Sequence, residues 1–356
     1  MAAPQKAYPT RQLGKNGPYV SAIGFGAMGM GAFYGPRNED DTQTTLTYAA
    51  DRGITFWDTA DVYGTSEKSI GTWFAKTGRR SEIFLATKWG ARDYTEGATD
   101  QMRPNSHPSY ILSRLENSLR DLQTDYIDLY YQHRVDPRVP IEVVLEALRP
   151  AVEKETVRYI GLSECSAETL RRARAVPGVG EKVIAAQMEF SPFELSVEKN
   201  GFVATAKELG VAIVAYSPLC RGLVSGRYRS RADFSPDDGR LDLERFSEEN
   251  FPKNVALVDK FNEIATRLGA TNSQVALAWI LAEHPDFIPI PGCRTVERLE
   301  ENGKGAELHL PSEDVKALRK FAEDADGKVA GARYPEAALA SDVMIGHCLP
   351  LSEWKE

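Results

Sequence analysis

Residues 83–131, IFLATKWGARDYTEGATDQMRPNSHPSYILSRLENSLRDLQTDYIDLYY, contain two short apolar runs with a helical pattern between them. The runs Ile83–Lys88 and Tyr126–Tyr131 are rich in β-branched and aromatic residues and are apolar on both faces, which is typical of strands in a helix-covered parallel sheet. Between them, Tyr110–Leu122 places apolar side chains at helical spacing. The stretch therefore predicts a strand, a helix and a second strand parallel to the first.

The same alternation recurs along the chain. Six further strand-like runs are Ala22–Gly26, Gly53–Asp58, Val157–Gly161, Val183–Gln187, Val211–Ala215 and Phe287–Ile290. Together with the first two they make eight runs, each followed by a loop and a helix candidate. Eight β/α units without a second compositional zone predict an α/β protein with a closed (β/α)8 fold, the TIM barrel.

Three segments fall outside this repeat. Arg11–Lys15 and Tyr19–Ile23 flank an Asn-Gly pair, which predicts an N-terminal β-hairpin. Ser217–Asn254 is a long irregular connection, and loops of that length are uncommon unless they are functional. We place the barrel domain at residues 1–325 and a C-terminal tail, whose role the sequence does not show, at residues 326–356.

Composition narrows the function classes. The 356-residue chain is 42% hydrophobic, and its net charge of −8 argues against nucleic acid and against an anionic membrane surface as partners. The N-terminus lacks an apolar leader segment, and no run of about 18 apolar residues occurs, so no membrane span is expected. The four cysteines are widely separated, which suits neither a zinc site nor a disulfide framework. We expect a cytoplasmic protein with a small-molecule substrate and no metal; the sequence does not indicate its oligomeric state.

The glycines of Gly24–Gly29 match the pattern GxGxxG after a strand, which raises the alternative of a Rossmann fold. That fingerprint requires a helix to begin within the motif. Here Met30–Pro36 follows, and its proline favours a loop. We therefore expect these glycines to let the backbone bend at the mouth of the first barrel strand.

Four polar residues lie at the carboxyl ends of three consecutive predicted strands: Asp58, Tyr63, Lys88 and His133. In a barrel these ends converge on the catalytic face. Their chemistry suits carbonyl reduction, in which hydride addition leaves an alkoxide that needs a proton. We expect Tyr63 to donate it, with Lys88 lowering its pKa from about 10, Asp58 holding Lys88, and His133 polarising the carbonyl oxygen. Taken singly, each residue also has an ordinary structural explanation.

The segment Phe56–Glu67, FWDTADVYGTSE, resembles the aldo-keto reductase signature. The resemblance continues through LATK (residues 85–88), DLYYQH (128–133), IGLS (160–163), AYSPL (215–219) and RLEEN (298–302). The family's Asp, Tyr, Lys and His tetrad falls on the four residues named above. The resemblance implies NADPH-dependent reduction of aldehydes or ketones, and is strongest to microbial and plant reductases with MGM and GLSE motifs.

The resemblance also implies cofactor contacts. They comprise Met28 and Asp58, Ser163 and Gln187 at the nicotinamide carboxamide, Tyr216 stacked on the ring, Ser217, Leu219, Gly222 and Arg227 over the pyrophosphate, and Gly292, Arg294, Arg298, Glu301 and Asn302 at the adenosine end. Many family members have Asn where this chain has Glu164. A carboxylate cannot donate a hydrogen bond to the carboxamide, so that contact is not carried over.

Apolar and aromatic residues near the predicted mouth favour a carbonyl substrate with an apolar or aromatic body: Met28, Phe33, Tyr34, Trp57 and Trp89. Arg134 could attract a substrate carboxylate, but we expect it to pair with Asp136 instead.

Two other function classes remain open. Potassium-channel β subunits share this barrel and cofactor site but act as regulatory partners; the pattern implied for them replaces the tetrad histidine with asparagine, so His133 favours an enzyme. A metal-dependent barrel hydrolase would need a His/Asp/Glu cluster at ligand spacing, which the sequence lacks.

Overall fold

The computed structural model describes residues 7–31, 38–335, 344 and 346–355. The strands are β1 (Thr10–Gln12), β2 (Tyr19–Ser21), β3 (Phe25–Gly26), β4 (Phe56–Asp58), β5 (Phe84–Trp89), β6 (Ile127–Gln132), β7 (Val157–Ser163), β8 (Val183–Glu189), β9 (Ala212–Tyr216) and β10 (Phe287–Pro289). The α-helices are α1 (Met28–Gly31), α2 (Glu39–Arg52), α3 (Ser66–Thr77), α4 (Pro108–Asp121), α5 (Ile141–Glu153), α6 (Ala167–Ala175), α7 (Ser196–Lys199), α8 (Phe202–Leu209), α9 (Phe251–Arg267), α10 (Asn272–Glu283), α11 (Val296–Lys304) and α12 (Ser312–Ala325). Strands β3 to β10 pair in parallel with their neighbours in chain order.

The sheet closes where β3 meets the end of β10. The Gly24 N–H donates to Pro289 O at 2.9 Å, and the Gly26 N–H donates to Pro291 O at 3.2 Å. A Cβ on Gly26 would lie 2.9 Å from Ile290 O, so the two backbones approach too closely for a side chain. The (β/α)8 prediction is confirmed, and these glycines serve barrel closure.

One local expectation after β3 is wrong. A single helical turn, α1, begins at Met28 inside the glycine motif, where we expected a loop. A Cβ on Gly31 would lie 1.8 Å from Tyr63 O, so this turn packs directly on the loop that follows β4. The Rossmann alternative still fails, because β3 belongs to a barrel.

The N-terminal hairpin is confirmed and closes one end of the barrel. Strands β1 and β2 pair antiparallel. Leu13 and Val20 join an interior cluster with Phe56 and Leu129. The turn residue with positive φ is Gly14, at 76°, and not the Asn-Gly pair.

Alternation along each strand separates two cores. Phe56 on β4 belongs to the barrel interior, whereas Trp57 faces outward and lies 4.9 Å from Trp73 between ring centroids. Successive strand residues point to opposite faces. Asp58 therefore shares the inward direction of Phe56.

The long connection after β9 and the chain beyond α12 both pack on the barrel. Short 3₁₀ turns run through the connection, which buries Phe234 and Phe246. Beyond α12, the Ala330 N–H donates to Asn254 Oδ1 at 2.8 Å, and Gly346 O accepts the Ser166 N–H at 2.9 Å. None of the helices in the described ranges is long and apolar enough to cross a membrane.

A buried acid on α3 contributes a pH-dependent term to stability. Glu67 is 6% exposed, and its Oε1 accepts the Thr87 hydroxyl at 2.7 Å. Burial raises the pKa of Glu67 to about 7, chiefly because the charged form loses its hydration. The folded protein therefore binds this proton more tightly than the unfolded chain does.

We predict that Glu67→Gln flattens the fall in stability with rising pH. Because the folded pKa exceeds the unfolded value, the stabilisation by Glu67 is complete below about pH 4.5 and is lost as pH rises through about 7. Over that pH range the free energy of unfolding should fall by roughly 2–4 kcal/mol more in the wild type than in the variant. Thermal unfolding at pH 5 and pH 8 measures this, with exposed Glu116→Gln on α4 as the control. Parallel pH profiles for wild type and Glu67→Gln would contradict the assignment.

Candidate active site

The four residues expected to form the site come together at the carboxyl ends of the strands. Lys88 Nζ forms an ion pair with Asp58 Oδ1 and donates to Thr59 O at 2.8 Å. Lys88 Nζ also lies 5.0 Å from the centre of the Tyr63 ring. The rings of Tyr63 and His133 are 5.7 Å apart and nearly perpendicular. Three strands and the loop after β4 thus supply one compact group.

The protonation states of this group follow from burial and neighbouring charges. Burial first, and then the Asp58 carboxylate, raise the pKa of Tyr63 above its ordinary value. The net lowering expected from Lys88 is therefore not seen, because burial and the Asp58 carboxylate outweigh the nearby cations. Burial, reinforced by Arg134 and Lys88, holds the pKa of His133 well below its ordinary value. At neutral pH, Tyr63 therefore keeps its proton and His133 is a neutral imidazole.

Both rings have hydrogen-bonding capacity that the described residues do not use. The Tyr63 hydroxyl makes no hydrogen bond of 3.5 Å or less to the described residues. His133 Nδ1 is buried without a partner in the same part of the chain. Unsatisfied polar groups beside a cavity are typical of sites that complete their bonding with a ligand.

The residues expected at the nicotinamide end lie next to this group. Gln187 Nε2 donates to Asp58 Oδ2 at 2.8 Å across the barrel. Ser163 is buried at the end of β7, and the Tyr216 hydroxyl lies 3.2 Å from that of Tyr334. Met28 is half-buried on α1.

The loop after Tyr216 is conformationally unusual. Ser217, Cys220 and Arg221 take positive φ values of 50°, 49° and 57°, and Gly222 follows at 95°. Non-glycine residues rarely adopt this region, and such strain clusters at ligand sites. Ser217, Leu219 and Gly222, which are expected over the cofactor pyrophosphate, thus belong to a segment with a strained backbone.

The residues expected at the adenosine end lie on α11 or in the loop just before it. Arg227, in the long connection after β9, forms an ion pair with Glu301 on α11. Arg240 Nη2 donates to the Tyr228 hydroxyl at 3.2 Å, and the charges of Arg240 and then Arg298 lower the pKa of Tyr228 against the effect of burial. Thr295 caps α11 by accepting the Arg298 N–H at 3.4 Å. The remaining residues expected here are Gly292, which bridges to Gly26, Arg294 and buried Asn302.

The structure does not bring the expected substrate residues together. Trp57 faces the outer core beside Trp73, and Trp89 stacks on Tyr130 in that same core, 4.5 Å between ring centroids. Both point away from the mouth. Tyr34 and Phe33 lie outside the described residues.

The expected pairing of Arg134 with Asp136 is wrong. Asp136 Oδ1 instead pairs with Arg138 Nε at 2.9 Å, and its Oδ2 accepts the Ser106 N–H at 3.0 Å. Arg134 Nη1 donates to His133 O at 2.7 Å and to Ser163 Oγ at 3.4 Å.

Sequence reasoning missed the residues that the tail brings to the mouth. Arg333 Nη2 lies 2.8 Å from Glu164 Oε2, and Nη1 lies 3.1 Å from Glu189 Oε2. Burial alone would raise the pKa of Glu164, but the hydrogen bond and charge of Arg333 hold it below its ordinary value. Glu164, at the position where the resemblance suggested Asn, therefore binds the tail through Arg333. The one signal in the sequence was that substitution, and it did not identify its partner.

Comparisons with known proteins agree with this geometry. Residues 22–323 match the sequence model described as the Aldo/keto reductase family. The chain is 46% identical to "Aldo-keto reductase yakc [NADP(+)]" of Schizosaccharomyces pombe, covering 93% of this chain and 95% of that protein. It is 45% identical to "Aldo-keto reductase str7" of Strobilurus tenacellus, covering 89% and 93%.

Solved structures show the same architecture. The thermostable aldo-keto reductase Tm1743, crystallised with the inhibitor epalrestat, superposes with a TM-score of 0.69 at 29% identity, covering 88% of this chain and 99% of that one. The holo form of AKR11C1 from Bacillus halodurans gives 0.71 at 25% identity, covering 90% and 98%. Fold, site geometry and sequence thus agree: the chain belongs to the aldo/keto reductase family.

Proposed function

We propose that this protein reduces an aldehyde or ketone to an alcohol with NADPH in the cytoplasm, and that Tyr63 supplies the proton. The observation that carries the proposal is the Tyr63 hydroxyl, which has no hydrogen-bond partner among the described residues, beside neutral His133 and the Lys88–Asp58 pair. Such a group can polarise a carbonyl and protonate the oxygen that results.

Several features fit NADPH. The backbone strain between Ser217 and Gly222 suits a segment that contacts phosphate. Arg294 and Arg298 lie at the start of α11, where free N–H groups and the helix dipole favour an anion. A relative in fission yeast is named as NADP(+)-dependent. When bound, NADPH supplies the hydride that adds to the carbonyl carbon.

The chain's own residues handle the proton. His133 donates a hydrogen bond to the carbonyl oxygen, and Tyr63 transfers its phenolic proton to that oxygen as the alkoxide develops. Once the alcohol has formed, the Tyr63 phenolate regains a proton from solvent. Lys88, held by Asp58, lies 5.0 Å from the Tyr63 ring and stabilises the transient phenolate. The high pKa of Tyr63 keeps the proton in place until the alkoxide, a stronger base, appears.

We predict that Tyr63→Phe lowers kcat by a factor of roughly 10²–10⁴ while NADPH affinity stays near wild type, since the ring still packs but the proton is gone. Steady-state kinetics and fluorescence titration measure the two quantities. Tyr159→Phe is the matched control. Tyr159 lies near the amino end of β7, away from the site at the carboxyl ends of the strands, so this variant should keep full activity. More than half the activity remaining in Tyr63→Phe would remove Tyr63 from the mechanism.

His133→Asn distinguishes an enzyme from a regulatory subunit. We expect a folded, NADPH-binding variant with carbonyl reduction weakened by about 10²-fold or more, because one donor to the developing oxyanion is lost. The measurement is kcat on a panel of aldehydes and ketones, with melting temperature and NADPH affinity as controls. A wild type that binds NADPH but reduces nothing in the panel would favour the regulatory alternative.

Arg298→Ala tests cofactor choice. A charge-assisted hydrogen bond to the 2′-phosphate is worth about 1.5–3 kcal/mol, so NADPH affinity should fall roughly 10- to 150-fold while NADH affinity hardly changes. Titration of both cofactors measures this, with Lys304→Ala at the other end of α11 as the control. Equal losses for both cofactors would assign Arg298 to the fold or the adenine, and a wild type that prefers NADH would contradict the proposed cofactor.

A further inference from the structure

Arg134 at the barrel mouth is a buried cation without a carboxylate partner among the described residues. The residue is 9% exposed, and Nη1 makes its two hydrogen bonds, to His133 O and Ser163 Oγ. Nε and Nη2 donate to no atom of the described residues, and no carboxylate oxygen among those residues lies within 4.0 Å. Burying a guanidinium in this way is costly unless an anion or strong acceptor pairs with it.

The neighbouring carboxylates are already engaged by other cations. Asp136, the nearest in sequence, is held by Arg138. Asp58 is held by Lys88, and Glu164 by Arg333. Among the described residues of the mouth, these acids thus leave Arg134 as a positive charge without an ion pair.

Arg134 lies next to the catalytic residues, with its guanidinium on His133 O and Ser163 Oγ. Its backbone follows His133 directly, and the groups that act electrostatically on its guanidinium are Tyr334, Tyr216, Glu164 and Tyr63. Tyr63 and His133 are the residues that would contact a reacting carbonyl. A ligand that pairs with Arg134 would therefore place its anion beside the reacting group.

We propose that Arg134 is a specificity-determining residue that binds a carboxylate on the substrate, so that the preferred substrates are carbonyl compounds bearing a carboxylate. This inference rests on the reductase function proposed above. A guanidinium presents N–H groups in a planar fork that matches the two oxygens of a carboxylate. The competing assignment is a contact with the uncharged carboxamide of the cofactor, since Ser163 is expected there.

Substrate pairs that differ in this one charge test the proposal. Meta- and para-carboxybenzaldehyde are compared with their methyl esters, and kcat/KM is measured for wild type, Arg134→Gln, Arg134→Lys and Arg120→Gln. The wild type should prefer the carboxylate of at least one pair by about tenfold or more. In Arg134→Gln that preference should be lost, a fall of about tenfold or more, with an intermediate value for Arg134→Lys. Arg120→Gln removes an exposed cation at the carboxyl end of α4 and should keep the wild-type ratio.

Binding without turnover separates this proposal from the reductase proposal. Benzoate and benzamide are titrated calorimetrically into the NADPH-loaded protein. We expect benzoate to bind about tenfold or more tightly than benzamide, and Arg134→Gln to lose that difference while its NADPH affinity stays within about twofold of wild type. Benzoate binding without any carbonyl turnover would support the Arg134 site and refute the reductase. Turnover of esters without a carboxylate preference, equal binding of benzoate and benzamide, or a large loss of NADPH affinity in Arg134→Gln would each overturn the inference.

Discussion

The buried ion pair between Lys88 and Asp58 is the interaction on which the site depends. Neither charge has water to hydrate it: Lys88 is fully buried and Asp58 is 2% exposed. Asp58 uses its second oxygen for Gln187, which reaches it from the other side of the barrel. Losing either partner would leave an uncompensated charge in the interior, a change that typically costs about 3–5 kcal/mol. The pair therefore joins β4, β5 and β8 mechanically while it positions the chemistry.

The same pair explains the protonation states around it. Burial and the Asp58 carboxylate raise the pKa of Tyr63, so the nearby ammonium does not bring it below its ordinary value. His133 gains no acid of its own, so burial and the nearby cations keep it neutral. Tyr63 therefore holds its proton and His133 stays a neutral imidazole. Both states follow from burial and from the way the nearby charges are paired.

Much of the fold could be predicted, because each strand and helix repeats a local pattern. The helix expected at Tyr110–Leu122 forms as Pro108–Asp121, and the four candidate catalytic residues meet because barrel strands share one carboxyl end. The side-chain directions of Trp57 and Trp89 could have been predicted as well. They adjoin inward-facing Asp58 and Lys88, and successive strand residues point to opposite faces, so both tryptophans had to face outward.

Ion pairing could not be predicted in the same way, since spacing along the chain does not decide between nearby partners. Asp136 lies two residues from both Arg134 and Arg138, and only the path of the loop gives it to Arg138. Arg333 reaches Glu164 across 169 positions. Among the described residues, the first pairing leaves Arg134 without Asp136, and the second engages Glu164, the other acid close to it. An anion bound at Arg134 would also offset one of the two charges that lower the pKa of His133, which couples substrate charge to the protonation of the polarising imidazole.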